Sequence, residues 1–172
     1  RGIGGLDYLG IPAVMTADGP AGLRICEDRG VTTTAWPVAT LLACTWDPEL
    51  VYEVGKAGGC EVRENNLAMW LTPAINIHRS PLCGRNFEYY SEDPLLSGKL
   101  AAAMVRGIQS EGVSACVKHF CANNKEINRK GSDSRVSERA LREIYFKGFE
   151  IVVKEGGVWA VMTAYNLLNG SY

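Results

Sequence analysis

Lys118 and His119 follow directly on the apolar run of residues 115–117. A lysine donates up to three hydrogen bonds and an imidazole donates or accepts, so the pair suits a ligand rich in hydroxyl groups. Side chains alternate along a strand, so one of the two is expected to be structural. Asp18 ends the apolar run of residues 11–17 and precedes Gly19-Pro20. Its carboxylate can accept hydrogen bonds from two vicinal hydroxyls, or it can simply form a turn. Tyr165 follows the run of residues 158–164. Its phenol can reach a substrate or a carboxylate, or can sit at the core edge with its hydroxyl in water. Arg85 and Glu88 lie in a long polar and aromatic loop, residues 78–93. They can bind a polar ligand or pair with each other at the surface. Arg129 shares its loop with Lys125, Lys130 and Arg135, so it is either a ligand group or a solvated loop residue. Carboxylate, Arg, Lys, His and aromatic groups together suit a polyhydroxylated ligand, which needs partners of both polarities.

Other chemistries find little support. The 172 residues contain no G-x-G-x-x-G, Walker loop, G-x-S-x-G or H-E-x-x-H. Two histidines and six cysteines without a C-x-x-C pair offer no metal cage, so no metal and no cofactor are expected. A barrel lyase or aldolase using Lys118 as a Schiff-base amine is the remaining covalent alternative. A net charge of −1 draws the chain neither to nucleic acid nor to an anionic membrane. No apolar run approaches the roughly 20 residues needed to cross a bilayer, and no leader segment is visible. Cys26, Cys44, Cys60, Cys83, Cys116 and Cys121 are read as free thiols, several in apolar runs, which fits a reducing, cytoplasmic setting. Asn169-Gly170-Ser171 matches a glycosylation sequon but reads more simply as a turn.

These residues need a scaffold, and the pattern supplies an α/β one. Four apolar runs, at residues 11–17, 68–77, 115–117 and 158–164, alternate with amphipathic segments. Asp47-Pro48 and Asp93-Pro94 each pair an N-cap with a proline in the first helical position. They open helices expected to run to about Glu64 and to Gly112. Ser137 caps a third, which ends at Gly156-Gly157. Strand–helix alternation with strands apolar throughout means parallel strands covered by crossover helices. An open doubly wound sheet and a (β/α) barrel both fit. In either, ligands bind beyond the C-terminal strand ends, where the polar residues fall.

Five segments, in order, carry a family resemblance. They are Asp18 to Arg24 (DGPAGLR), Trp36-Pro37-Val38-Ala39-Thr40 with Thr45-Trp46-Asp47, Gly84 to Pro94 (GRNFEYYSEDP), Lys118-His119-Phe120, and Met162-Thr163-Ala164-Tyr165-Asn166. Together they resemble the N-terminal barrel of family 3 glycoside hydrolases, the β-glucosidase and β-xylosidase group. The resemblance implies a partial (β/α)8 TIM-type barrel, with residues 1–172 a single partial domain and a second α/β domain absent. It implies that Asp18, Arg85, Lys118, His119, Arg129 and Tyr165 line the subsite for the terminal non-reducing sugar. Asp18, Lys118, His119 and Arg85 would hold ring hydroxyls. Arg129 would do likewise or orient its neighbours, and Tyr165 would sit near the anomeric centre. Glu88 would stand behind Arg85 and fix it.

Family 3 enzymes retain configuration, using a carboxylate nucleophile and a carboxylic acid roughly 5 Å apart. The nucleophile of the family is an Asp in a Ser-Asp-Trp-like motif, and no such motif occurs in this sequence. No catalytic residue is therefore expected within the chain, which alone should grip a sugar without cleaving it. Cys121-Ala122-Asn123-Asn124 after Lys118-His119-Phe120 departs from the N-acetylglucosamine branch. The expected substrate is a β-linked glucoside or oligosaccharide, with a β-xylosidase or a non-catalytic sugar-binding fragment as alternatives. The expected partner is the remainder of a parent enzyme, and uncovered apolar faces favour self-association.

Overall fold

The computed structural model describes residues 2–25 and 30–172. Cys26 lies outside them. Strand β1 (Gly2–Ile3) runs antiparallel to β2 (Val14–Ala17). Helices α1 (Ala39–Ala43) and α2 (Pro48–Glu64) lead to β3 (Met69–Trp70). A long loop and helix α3 (Pro94–Ser110) lead to β4 (Ser114–Phe120). Then come β5 (Asp133–Ser134), short helices α4 (Glu138–Ala140) and α5 (Lys147–Ile151), β6 (Ala160–Thr163) and β7 (Leu167–Leu168). The main sheet has the order β1-β2-β3-β4-β6, and its last four strands are parallel. It curls as half of a TIM-type barrel.

The helix starts follow from their caps. Asp47 Oδ1 accepts from the N–H groups of Glu49 and Leu50 at 3.0 and 3.1 Å, and Asp93 Oδ1 accepts from Leu96 N at 2.8 Å. Each satisfies donors that the first helical turn leaves free. The segment after Ser137 is helical to Gly156 but not uniformly α. Wide π turns occupy Leu141–Tyr145 and Val152–Gly156, and Gly157 closes it at φ 62°.

Three strands, β2, β3 and β6, are shorter than their apolar runs. Pro12 and Pro73 lack the N–H that a sheet ladder needs. Regular pairing therefore begins at Val14 in the first run and is confined to Met69–Trp70 in the second. Strand β4 is longer than expected and carries Lys118 and His119 within it.

The core lies between the sheet and α2 with α3. Trp70, Val51, Val62, Leu100, Val105, Ile108, Ala115 and Val117 are buried there. The helices approach until backbones touch. A Cβ on Gly107 would sit 2.1 Å from Tyr52 O, and one on Gly55 would sit 2.5 Å from Met104 O. Neither atom is the end of a flexible side chain. Gly107→Ala is expected to destabilise the fold by about 1–3 kcal/mol, the usual cost of overpacking. The urea midpoint should fall, and an unchanged midpoint would mean that α2 and α3 separate freely.

Candidate functional site

Asp18 comes directly after β2, Lys118 and His119 lie near the end of β4, and Tyr165 lies just beyond β6. Arg85 and Glu88 come from the loop after β3, at a single 3-10 turn, Asn86–Glu88. Thr40 Oγ1 pins that turn, its single proton shared between the carbonyls of Asn86 and Tyr89 at 2.9 and 2.8 Å. Arg129 comes from the loop after β4. All seven line one cavity of ≈ 380 Å³, with Pro20, Arg24, Leu71, Phe87, Glu126 and Met162. That volume falls within the range of small-molecule sites.

Lys118 is the hub. Its side chain is 2% exposed; Nζ donates to Asp18 Oδ1 at 2.8 Å and stands 3.9 Å from Glu88 Oε2. Asp18 Oδ1 also accepts from Gly19 N at 2.9 Å. Burial alone would raise the Asp18 pKa, but the hydrogen bond and charge of Lys118, with Gly19 N–H and Arg24, outweigh it and hold it at about 2. Asp18 is thus a carboxylate, and among the described residues its hydrogen bonds from Gly19 and Lys118 both fall on Oδ1. Arg85 Nε donates to Glu88 Oε1, and Glu88 is buried rather than part of a surface pair. Burial opposes the charge on Arg85, yet the Glu88 carboxylate overrides it and raises the guanidinium's pKa.

Strand alternation alone would turn one of Lys118 and His119 away from the cavity, whereas the family resemblance puts both in it. The structure brings both to the cavity. The register shifts between Lys118 and Phe120, and such a bulge re-aims side chains. Burial, then the charges of Arg85 and Lys118, lower the His119 pKa to about 2, so the ring is neutral. Arg129 Nη1 donates to Glu126 Oε2 at 2.9 Å, and its Cζ lies 4.8 Å from the centre of the Tyr165 ring. This is a cation–π contact that holds the phenol at the cavity mouth.

Glu126 was not singled out from the sequence. Its position three residues before Arg129 was the available signal, lost among the charges of that loop. Arg24, Leu71, Phe87 and Met162 were also missed as wall residues. Among the lining residues, four cations (Arg24, Arg85, Lys118, Arg129) stand against three carboxylates (Asp18, Glu88, Glu126). Nearly balanced donors and acceptors suit an uncharged polyol better than a phosphate ester.

The sequence model for the glycosyl hydrolase family 3 N-terminal domain matches residues 6–171. The chain belongs to this family. β-Glucosidase A of Butyrivibrio fibrisolvens is 64% identical over 169 residues, which cover 98% of this chain and 20% of that protein. Thermostable β-glucosidase B of Acetivibrio thermocellus is 53% identical, with 97% of this chain and 23% of that protein covered. The structure of β-glucosidase 3B from Thermotoga neapolitana in complex with glucose matches at a TM-score of 0.95 and 59% identity, covering 99% of this chain and 25% of that one. This family 3 chain therefore spans about a fifth to a quarter of the length of these proteins. Among the described residues, no helix is long and apolar enough to cross a membrane.

Proposed function

We propose that this chain is the sugar-holding part of the barrel of a retaining β-glucosidase that acts on terminal non-reducing β-D-glucosyl residues. One observation carries the reading: the strand-end cavity pairs the Asp18 carboxylate and the neutral His119 with the donors Lys118, Arg85 and Arg129. Each sugar hydroxyl has one proton to give and lone pairs to fill, and such a wall answers both. In this reading Asp18, Lys118, His119 and Arg85 hold ring hydroxyls. Tyr165, steadied by Arg129, stands by the anomeric carbon, and Glu88 keeps Arg85 and Lys118 in place. The nucleophile and the acid come from the rest of a parent polypeptide. Residues 1–172 are a single partial domain, and the second α/β domain lies in that remainder. The share of the relatives' length that this chain covers supports that division.

The groove walled by Phe120, Phe146, Phe149, Val153 and Val161 belongs to the same proposal. It flanks β6, the last strand of the sheet, where further barrel elements would pack. Left uncovered, it would favour self-association. A reducing, cytoplasmic setting is also proposed, supported by the thiols of Cys83, Cys116 and Cys121, which are buried as small hydrophobes.

Calorimetry and hydrolysis together test the function. The chain alone should bind glucose in preference to xylose and leave aryl β-glucosides uncut. Enzyme-level turnover by residues 1–172 would sink the division of labour. Failure to bind glucose by a folded chain would sink the sugar reading.

A further inference from the structure

We propose that Asn76 is a positioning residue that fixes His119 as its Nδ1–H tautomer and so presents the Nε2 lone pair to a substrate hydroxyl. The claim about the substrate rests on the sugar-binding reading of the cavity; the claim about the tautomer does not. Asn76 lies in the strand-like run beyond β3 and is 2% exposed. Its Nδ2 donates to His119 O at 2.9 Å, and its Oδ1 accepts from His119 N at 3.0 Å. A backbone carbonyl only accepts and a backbone N–H only donates, so these two bonds leave the amide a single orientation.

The atom 3.2 Å from His119 Nδ1 is therefore Asn76 Oδ1, an acceptor. Nδ1 must carry the proton. Burial and the facing cations Arg85, Lys118 and Arg129 keep the ring from gaining a second proton and outweigh the Asp18 carboxylate, which pulls the other way. Nε2 is then a bare acceptor. The Tyr89 ring meets the imidazole edge-on, with centroids 6.3 Å apart, and restricts its rotation. This acceptor lets one hydroxyl donate to His119 while accepting from a neighbouring cation.

The chain contains a built-in reference. Its other histidine, His78, has Nε2 2.9 Å from the carbonyl of Asn86, so that nitrogen must be the protonated one. Long-range 1H–15N correlation of the 15N-labelled chain near neutral pH reads both rings. His119 should show a protonated Nδ1 and a bare Nε2, and His78 a protonated Nε2. Saturating glucose should shift His119 Nε2 and leave His78 in place. A protonated Nε2 on His119 in the unliganded wild type overturns the tautomer assignment and leaves the sugar reading standing. The expected tautomer with an Nε2 that glucose does not move overturns the substrate role.

Asn76→Asp supplies the second arm. A carboxylate beside Nδ1 favours the imidazolium, which turns Nε2 from acceptor to donor. Glucose affinity should fall by about tenfold or more, the scale of one lost hydrogen bond. In an active parent enzyme, the loss should be greatest at low pH and be relieved as pH rises, a new acid limb in the pH profile. An affinity unchanged in a folded Asn76→Asp chain would overturn the positioning role. If that variant does not fold, the wild-type spectrum still decides.

Discussion

Lys118→Met should lower stability by about 3–5 kcal/mol and abolish glucose binding. Lys118 is 1% exposed and is the cation between two carboxylates, at 2.8 Å from Asp18 and 3.9 Å from Glu88. Methionine fills nearly the same volume, so the loss is electrostatic rather than a cavity. Removing one member of a buried pair leaves the other charge uncompensated, which is the costly way to break it. Glu88 retains Arg85, whereas Asp18 loses its principal partner.

The pH dependence should change with it. In the wild type, Asp18 titrates at about 2 against an ordinary 3.8. A depressed carboxylate pKa contributes stability that is complete above the unfolded value and is lost as pH falls through the folded one. That contribution is about 1–2 kcal/mol, allowing for solvent screening of a partly exposed side chain. In Lys118→Met, burial is no longer outweighed, and the pKa of Asp18 should rise above its ordinary value. The acid-side loss due to this residue should vanish or reverse. Urea titrations at about pH 6 and pH 2 on both proteins measure it. An equal pH dependence in the two would show that Lys118 does not set the Asp18 charge.

Asp18→Ala should weaken glucose binding by about 100-fold or more while costing less stability than the Lys118 change. Asp18 Oδ1 accepts from Lys118 and Gly19, so in the proposed sugar site Oδ2 would be the atom that meets the ligand. Hydrogen bonds to a charged acceptor contribute about 1.5–3 kcal/mol each, and the variant also frees Lys118 to turn toward Glu88. The milder stability effect follows because the Asp18 side chain is 31% exposed and Lys118 keeps a carboxylate nearby. Calorimetry for glucose and a denaturant midpoint separate the two effects. Affinity within threefold of wild type would remove Asp18 from the sugar site. In an active parent enzyme, kcat/KM should fall by at least the same factor, since a hydroxyl hold that persists to the transition state counts there too.

Much of the scaffold was legible in the chain. Asp47-Pro48 and Asp93-Pro94 opened helices where their cap chemistry requires, because an N-cap acts within one turn and needs no distant partner. Strand lengths were less legible. Pro12 and Pro73 interrupt apolar runs, and pairing depends on the neighbouring strand as much as on the run itself. The wide turns at Leu141–Tyr145 and Val152–Gly156 had no local signal.

For the cavity, the sequence by itself named Asp18, Arg85, Glu88, Lys118, His119, Arg129 and Tyr165. Position at the end of an apolar run pointed only to Asp18, Lys118, His119 and Tyr165, because such polar residues face the open end of a parallel sheet; Arg85, Glu88 and Arg129 rested on the family resemblance. Tertiary structure alone decided how they meet. Asp18 and Lys118 are a hundred residues apart and touch only because β2, β3 and β4 pair in one register. Lys118 and His119 share the cavity beside a shift of register in the strand, which no local pattern announces. Asn76 and Glu126 gain their roles from the curl of the sheet and the fold of a loop. Register, bulges and curvature are settled by contacts between elements, whose energies exceed any local preference, and a linear pattern does not encode them.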